Sequence, residues 1–250
     1  MAESRIVYGF HAVISRVRQQ AAGVMEIYLD SSRHDARGKD LIKLAGERGV
    51  RLIALDAHRL DGLTGNASHQ GVAARVAAIP LKHDLDDVLN SIEGPALLLI
   101  LDGVQDPHNL GACLRVADAF GVHAVIAPKD RAVGITPVVS KVASGAAETI
   151  PYVSVTNLAR TLRELKESNI WIVGADEAGE TGLYDARLTG PMAWVMGAEG
   201  EGMRRLTREH CDELVRIPMS GSVESLNVSV ASGVCLGETF RQRRRSAAAT

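Results

Sequence analysis

Five polar residues on three short stretches have the types and spacing that could do chemistry: Asn109 with Arg115, Glu199, and Ser225 with Asn227. Each stretch follows an apolar run that reads as a strand and leads into a helical pattern. That order places a ligand site at the carboxyl edge of an α/β sheet. A lone Asn or Ser at a strand end is commonly a cap or turn residue, and Asn109 and Ser225 could each be one. Five such residues expected to face one edge favour a shared site. Two of the stretches are rich in small residues: Met196-Gly-Ala-Glu-Gly-Glu-Gly-Met203, and Ile217-Pro-Met-Ser-Gly-Ser-Val-Glu-Ser-Leu-Asn-Val-Ser-Val230. Their glycines let backbone approach a ligand closely or turn sharply. The three stretches hold no Lys and a single His, His108, which reads as a cap or loop residue. With no conventional base of near-neutral pKa, the chemistry expected is positioning by hydrogen bonds.

The elements that must carry these loops follow from periodicity. Strand-like runs at 96–101, 123–127, 150–155, 170–174, 192–196 and 213–218 alternate with helical patterns at 109–120, 137–147, 157–168, 204–211 and 228–243. Strands apolar throughout, separated by helices, predict a parallel sheet covered on both faces. Before it, a helix from Ala12, a strand at 25–29, a helix at 35–48 stopped by Gly49, a strand at 50–55, a short helix at 57–63 and a strand at 72–79 make a small α/β unit. The expected organisation is a first domain at 1–78, a linker at 79–95 and a second domain at 96–250. The basic run 241–245 reads as a solvated helix end.

Composition removes several function classes. At 250 residues, 46% hydrophobic and 23% charged, the chain is an ordinary globular one. No apolar run reaches a membrane span, and the first residues lack the order of a secretion signal, so a cytoplasmic protein without a membrane partner is expected. Cys113, Cys211 and Cys235 are scattered and read as reduced structural thiols, with no metal. The loop 103–111 fits neither a dinucleotide fingerprint nor a Walker A loop. Net charge is −2, split as +3 over residues 1–75 and −5 beyond. Arg33, Arg37, Lys39 and Lys43 cluster in the first unit, and His69-Gln70-Gly71 precedes its last strand. They read either as a solvated face with a turn glycine or as a groove for a polyanion.

Leu101-Asp-Gly-Val-Gln-Asp-Pro-His-Asn-Leu-Gly-Ala-Cys-Leu-Arg-Val-Ala-Asp118 resembles the first motif of the SpoU (TrmH) class of ribose methyltransferases in the SPOUT superfamily. Val195 to Met203 resembles the second motif and Ile217 to Val230 the third, in the same order. The likeness extends through 123–131, 155–160 and 203–214, and to Tyr8-Gly-Phe-His-Ala-Val13 and His69-Gln-Gly-Val72. It implies an α/β catalytic domain whose carboxyl-terminal segment forms a deep trefoil knot, dimerising through the knot. It also implies S-adenosylmethionine as co-substrate, and an amino-terminal domain similar to ribosomal-protein-like RNA-binding domains. By the same implication Gly197, Glu199, Gly200, Ile217, Met219 and Leu226 contact the cofactor, and Asn109, Arg115, Glu199, Ser225 and Asn227 form the catalytic constellation. Arg33, Arg37, Lys39, Lys43, His69 and Gln70 become the expected RNA contacts.

A ribose 2′-hydroxyl must lose its proton as it attacks a sulfonium methyl group, in line with the departing sulfur. Proposals for the class give that proton to the arginine, yet a guanidinium with a pKa above about 12 rarely deprotonates in proteins. The reading adopted has Arg115, held by Glu199, clamping the phosphate beside the target ribose. Asn109 and Ser225 then orient the hydroxyl, and Asn227 braces the loop. Three functions stay open: a methyltransferase acting on a guanosine of 23S ribosomal RNA or of an assembling large subunit, one acting on transfer RNA, and a non-catalytic RNA-binding assembly factor.

Overall fold

The structure, a computed structural model, describes residues 4–77, 84–223 and 225–248. Residues 1–3, part of the stretch read for a leader, lie outside the described residues, as do 78–83, where the expected last strand ends and the expected linker begins. The elements are β1 (Ser4–Tyr8), α1 (Phe10–Gln20), β2 (Val24–Asp30), α2 (Ala36–Glu47), β3 (Leu52–Leu55), α3 (Ala57–Thr64), β4 (Val72–Ala77), α4 (Leu85–Asn90), β5 (Leu97–Asp102) and α5 (Pro107–Ala119). Then follow β6 (Ala124–Pro128), α6 (Pro137–Val142), β7 (Tyr152–Val155), α7 (Leu158–Glu167), β8 (Trp171–Ala175), β9 (Thr181–Gly182), β10 (Met192–Gly197), α8 (Arg205–Glu209), β11 (Glu213–Arg216) and α9 (Val228–Ala247).

The first four strands form a mixed sheet in the order β1-β4-β2-β3. The central β4 is built, apart from Arg75, of small and β-branched residues and is buried on both sides. Val72, Ala74 and Val76 join the core under α1 and α2, while Ala73 joins a second cluster with Leu60 of α3. That is the two-residue alternation of a strand. The edge strand β1 is absent from the sequence reading, because its five residues merge into the apolar start of α1 and only pairing with β4 defines it.

The second sheet runs β7-β6-β5-β10-β8-β11-β9, and every pairing in it is parallel. This is the covered parallel sheet that the apolar strands predict. Along β5, Leu97, Leu99 and Leu101 pack on the α5 and α9 side, while Leu98 and Ile100 pack on the α4 and α7 side. Each such fully buried side chain contributes roughly 1.5–3 kcal/mol. The helix α4 belongs to this core through Val88, although it falls within the stretch expected as linker.

Two expectations are corrected. The helix expected over 137–147 breaks after α6: Ser144 (φ 53°) and Gly145 (φ 101°) are left-handed, and a short 3₁₀ turn follows at Ala146–Glu148. The cause is tertiary, since α1 of the first unit packs there. A Cβ on Gly145 would lie 2.7 Å from Ser15 Oγ, and Arg16 pairs with Glu148 at 3.4 Å, both side chains almost wholly buried. The basic run in α9 is also more than a solvated end. Arg243 donates to the carbonyls of Pro95, Ala96 and Gly190 at 2.7–2.9 Å, and Arg241 pairs with Glu238 at 2.7 Å. The Arg243 bonds, with Trp194 Nε1 donating to Thr239 Oγ1 at 2.9 Å, fasten α9 across the sheet. Among the described residues no helix is long and apolar enough to cross a membrane.

Candidate active site

Because β5, β8, β10 and β11 are parallel, the loops that follow them open at one edge. There the loops after β8, β10 and β11 enclose a cavity of about 480 Å³. Its lining includes Gly197, Glu199, Gly200, Ile217, Met219 and Leu226, all six residues expected at the cofactor, together with Ser225. Another hollow of about 520 Å³, beside Asp87, His123 and Pro151, lies at the opposite end of the strands, away from these loops.

The glycine loop folds back on itself. Ala198 and Gly202 exchange both backbone hydrogen bonds, at 3.1 and 2.9 Å, and Gly200 and Gly202 turn the chain at φ 77° and 68°. A Cβ on Gly197 would stand 2.2 Å from the Gly202 carbonyl carbon and 2.3 Å from the Met203 nitrogen. Only glycine fits that position.

Side chains from three loops meet beside the cavity. The Asn227 amide donates to Asn109 Oδ1 at 2.9 Å and to Glu199 Oε1. Its own Oδ1 caps α9, accepting from the Ser229 N–H at 2.9 Å and the Ser229 hydroxyl at 2.6 Å. With donor and acceptor both engaged, the orientation of Asn227 is fixed. Asn109 reaches it because one face of α5 packs on α9. Along that face Cys113 Sγ lies 3.7 Å from Ser232 Oγ, and Phe120 meets Gly237 and the Phe240 ring. Asp106 caps α5 through the His108 N–H at 2.9 Å, which places His108 in its first turn.

Arg115 departs from the expectation. Its side chain is exposed and makes no hydrogen bond or ion pair among the described residues, so it is not held by Glu199. Six residues carry it about 120° round the helix from Asn109. It therefore shares the face of Gly111, which packs on Val139 and Val142 of α6. Glu199 is engaged by Asn227 instead.

The cavity also takes in residues that the sequence reading missed, notably Asp176, Glu177 and Arg208. Asp176 Oδ2 pairs with Arg208 Nε at 3.2 Å, closing one wall. The available signal was position, for Asp176 directly follows β8 at the same sheet edge. Burial pushes the thiol of Cys113 up to about 11, and those of Cys211 and Cys235 up to about 12, in keeping with inert thiols. Among the described residues no group of His, Cys, Asp and Glu is placed to hold a metal.

The basic cluster of the first unit divides. Arg33 pairs with Asp35 at 3.0 Å, lies over the Phe10 ring at 4.6 Å and donates to the Gln70 carbonyl. His69 Nδ1 accepts from the Gly71 N–H at 3.0 Å, which leaves the ring proton on Nε2 facing Asp61 at 2.9 Å. Gln70 (φ 55°) and Gly71 (φ 78°) form the left-handed turn that these contacts brace. Arg37, Lys39 and Lys43 remain exposed on α2.

Residues 96–237 match the SpoU rRNA Methylase family, and residues 6–81 match the RNA 2′-O ribose methyltransferase substrate binding family. The 23S rRNA (guanosine-2′-O-)-methyltransferase RlmB of Ralstonia nicotianae is 62% identical over 243 residues, covering 97% of this chain and 98% of that protein. The protein of the same name from Bordetella pertussis is 59% identical over 244 residues, covering 98% of this chain and 100% of its own. Among solved structures, the SpoU methyltransferase AviRb from Streptomyces viridochromogenes in complex with AdoMet superposes with a TM-score of 0.79 at 27% identity, covering 96% of this chain and 91% of that one. The TrmH/SpoU tRNA modifying enzyme of A. aeolicus gives a TM-score of 0.57 at 28% identity, covering 68% and 87%. Asn109, Glu199, Ser225 and Asn227 thus converge at one sheet edge within a fold shared with these proteins, and the chain belongs to the SpoU rRNA methylase family.

Proposed function

We propose that the chain transfers the methyl group of S-adenosylmethionine to the ribose 2′-hydroxyl of a guanosine in 23S ribosomal RNA, in the P-loop hairpin of the peptidyl-transferase centre. The observation that carries this is the contact among Asn109, Asn227 and Glu199 at a cavity walled by the glycine loop. Whole-length likeness to proteins named for that activity supports the substrate. The cofactor supplies an electrophilic methyl on sulfonium, so an oxygen–carbon bond forms, a carbon–sulfur bond breaks and the hydroxyl proton leaves.

The residues present fit that group. The cavity is within the usual range for a small-molecule site. Its loops offer backbone at Gly197, Gly200 and Ile217, and apolar surface at Met219 and Leu226. Asn109 and Ser225 orient the hydroxyl. Asn227 holds Asn109 and Glu199 in register, and exposed Arg115 takes the phosphate beside the target ribose. Arg115→Lys assayed across pH separates clamp from base: normal turnover with a displaced basic limb overturns the clamp.

The remainder of this reading concerns assembly. Residues 1–78 bind RNA through α2, 79–95 connect, and 96–250 catalyse. The carboxyl-terminal segment is threaded as a knot, and two copies pair over it. The exposed Val230 and Phe240 on α9 support a covered face there. The protein works in the cytoplasm, on 23S RNA or an assembling subunit.

Transfer of labelled methyl to purified 23S and transfer RNA, with mapping of 2′-O-methyl sites, tests the function. Label in transfer RNA alone moves the substrate, and no label on either leaves a binding factor. Sedimentation tests the dimer.

A further inference from the structure

One buried carboxylate of the first motif, outside the five-residue constellation, joins the two halves of the site. Asp102 is the last residue of β5, and its side chain is wholly buried. Its Oδ2 accepts the Arg204 backbone N–H at 2.9 Å, and its Oδ1 accepts Arg204 Nε at 2.6 Å and lies 2.5 Å from a terminal guanidinium nitrogen. Arg204 begins α8 with no side-chain cap of its own. The parallel register sets Asp102 directly beside Gly197. The glycine loop therefore leaves the sheet next to Asp102 at Gly197 and returns to it at Arg204. The neck between those points is so narrow that Gly197 touches Gly202 and Met203. On its other side Asp102 precedes Gly103 (φ 90°), which opens the loop delivering Asn109.

We propose that Asp102, acting through Arg204, is a positioning residue for methyl transfer. It clamps the neck of the cofactor loop and fixes that loop against the strand that leads to Asn109. The inference rests on the site assigned under the proposed function. Its physical basis is that Glu199 and Asn109 sit on different loops, 90 positions apart in sequence. Their common bracing of Asn227 requires one shared anchor, and a charge-assisted, multiply bonded carboxylate is a stiff one. Removing the charge loosens both loops together, while Asn109, Glu199 and Asn227 keep their identities. A displacement of about 1 Å in such a site costs roughly 10²-fold in rate.

The test compares wild type with Asp102→Asn, Arg204→Lys and the charge-free pair Asp102→Asn/Arg204→Gln. Measured quantities are S-adenosylmethionine affinity by calorimetry, single-turnover methyl transfer to 23S RNA, RNA affinity and thermal melting. Expected are cofactor binding weaker by about tenfold, a single-turnover rate lower by roughly 10²-fold and unchanged RNA affinity. The pair should lose no more than the more impaired of the two single variants. Folded variants with wild-type cofactor affinity and rate overturn the proposal. So does a lowered melting temperature with rate and affinity per folded molecule unchanged, since that is a structural role alone. Should Asp102→Asn not fold, Arg204→Lys decides, because it retains the backbone N–H and the charge and alters only the guanidinium geometry. A wild type without methyl transfer to any RNA refutes the underlying function and not the clamp, which cofactor affinity then judges by itself.

Discussion

Two clusters of polar residues stand out in the sequence, one at the carboxyl edge of the seven-stranded sheet and one beside the first turn of α2, and the fold treats them differently. At the sheet edge, Asn109, Glu199 and Asn227 come from loops far apart in the chain and bond chiefly to one another next to an open cavity. Beside α2, the Arg33 and His69 side chains and the Gln70 carbonyl are engaged locally. They brace a left-handed turn through Asp35, Phe10, Asp61 and Gly71, while Arg37, Lys39 and Lys43 keep their charges in solvent. Polar side chains that satisfy each other across long sequence separation around a void form a ligand site. Those that satisfy their own turn brace it.

That contrast can be broken most directly at Gly197. Gly197→Ala pushes a methyl into the Gly202 and Met203 backbone, and calorimetry should then detect no cofactor binding. Next in size is Asn227. Asn227→Ala should lower single-turnover methyl transfer by about 10²-fold, as loss of one oriented donor does in other sites. It should also cost about 1 kcal/mol in denaturant melts, through the lost cap of α9. Asn227→Asp keeps the cap but opposes Glu199, so a preserved melt with a depressed rate would separate the two roles.

In the first unit the pattern should reverse. Gly71→Ala, strained at φ 78° and pressed on Arg33, should cost about 1–3 kcal/mol of stability and leave catalysis per folded molecule intact. Lys39→Ala with Lys43→Ala should leave the melt within about 0.5 kcal/mol and lower RNA affinity. The slope of log affinity against log salt should fall by about 1 per lysine. Full RNA affinity in that double variant would return the pair to an ordinary solvated face.

The smallest effect concerns the thiols. Burial raises Cys113 to about 11 and Cys211 and Cys235 to about 12, above their unfolded values. A raised folded pKa gives stability that is fully present below the unfolded value of about 8.5 and is lost as pH climbs through the folded one. Stability should therefore hold below pH ~8.5 and decline toward 11–12, and iodoacetamide at pH 8 should label the three only after unfolding.

Much of this was legible beforehand for a physical reason. The strands of the second sheet are buried on both faces, so their continuous apolar runs stand out from the helices between them, and the loops after them had to share an edge. The family resemblance, and not the apolar periodicity, singled out Gly197, Glu199, Gly200, Ile217, Met219 and Leu226, all of which line the cavity. Less legible were β1, which exists only through its pairing with β4, and the break after α6, forced by Ser15 and Arg16 arriving from another unit. Asp176 and Asp102 went unmarked because a lone carboxylate at a strand end carries no signal of its partner; Arg208 and Arg204 are supplied by the tertiary fold.

The sequence by itself determined the parallel sheet and the order of the three loops, because burial and backbone freedom write themselves into residue type at each position. Only the tertiary structure decided which side chains face each other. Glu199 meets Asn227 instead of Arg115, and His69 holds a turn, because helix rotation and the crossing of distant loops depend on packing that no local pattern encodes.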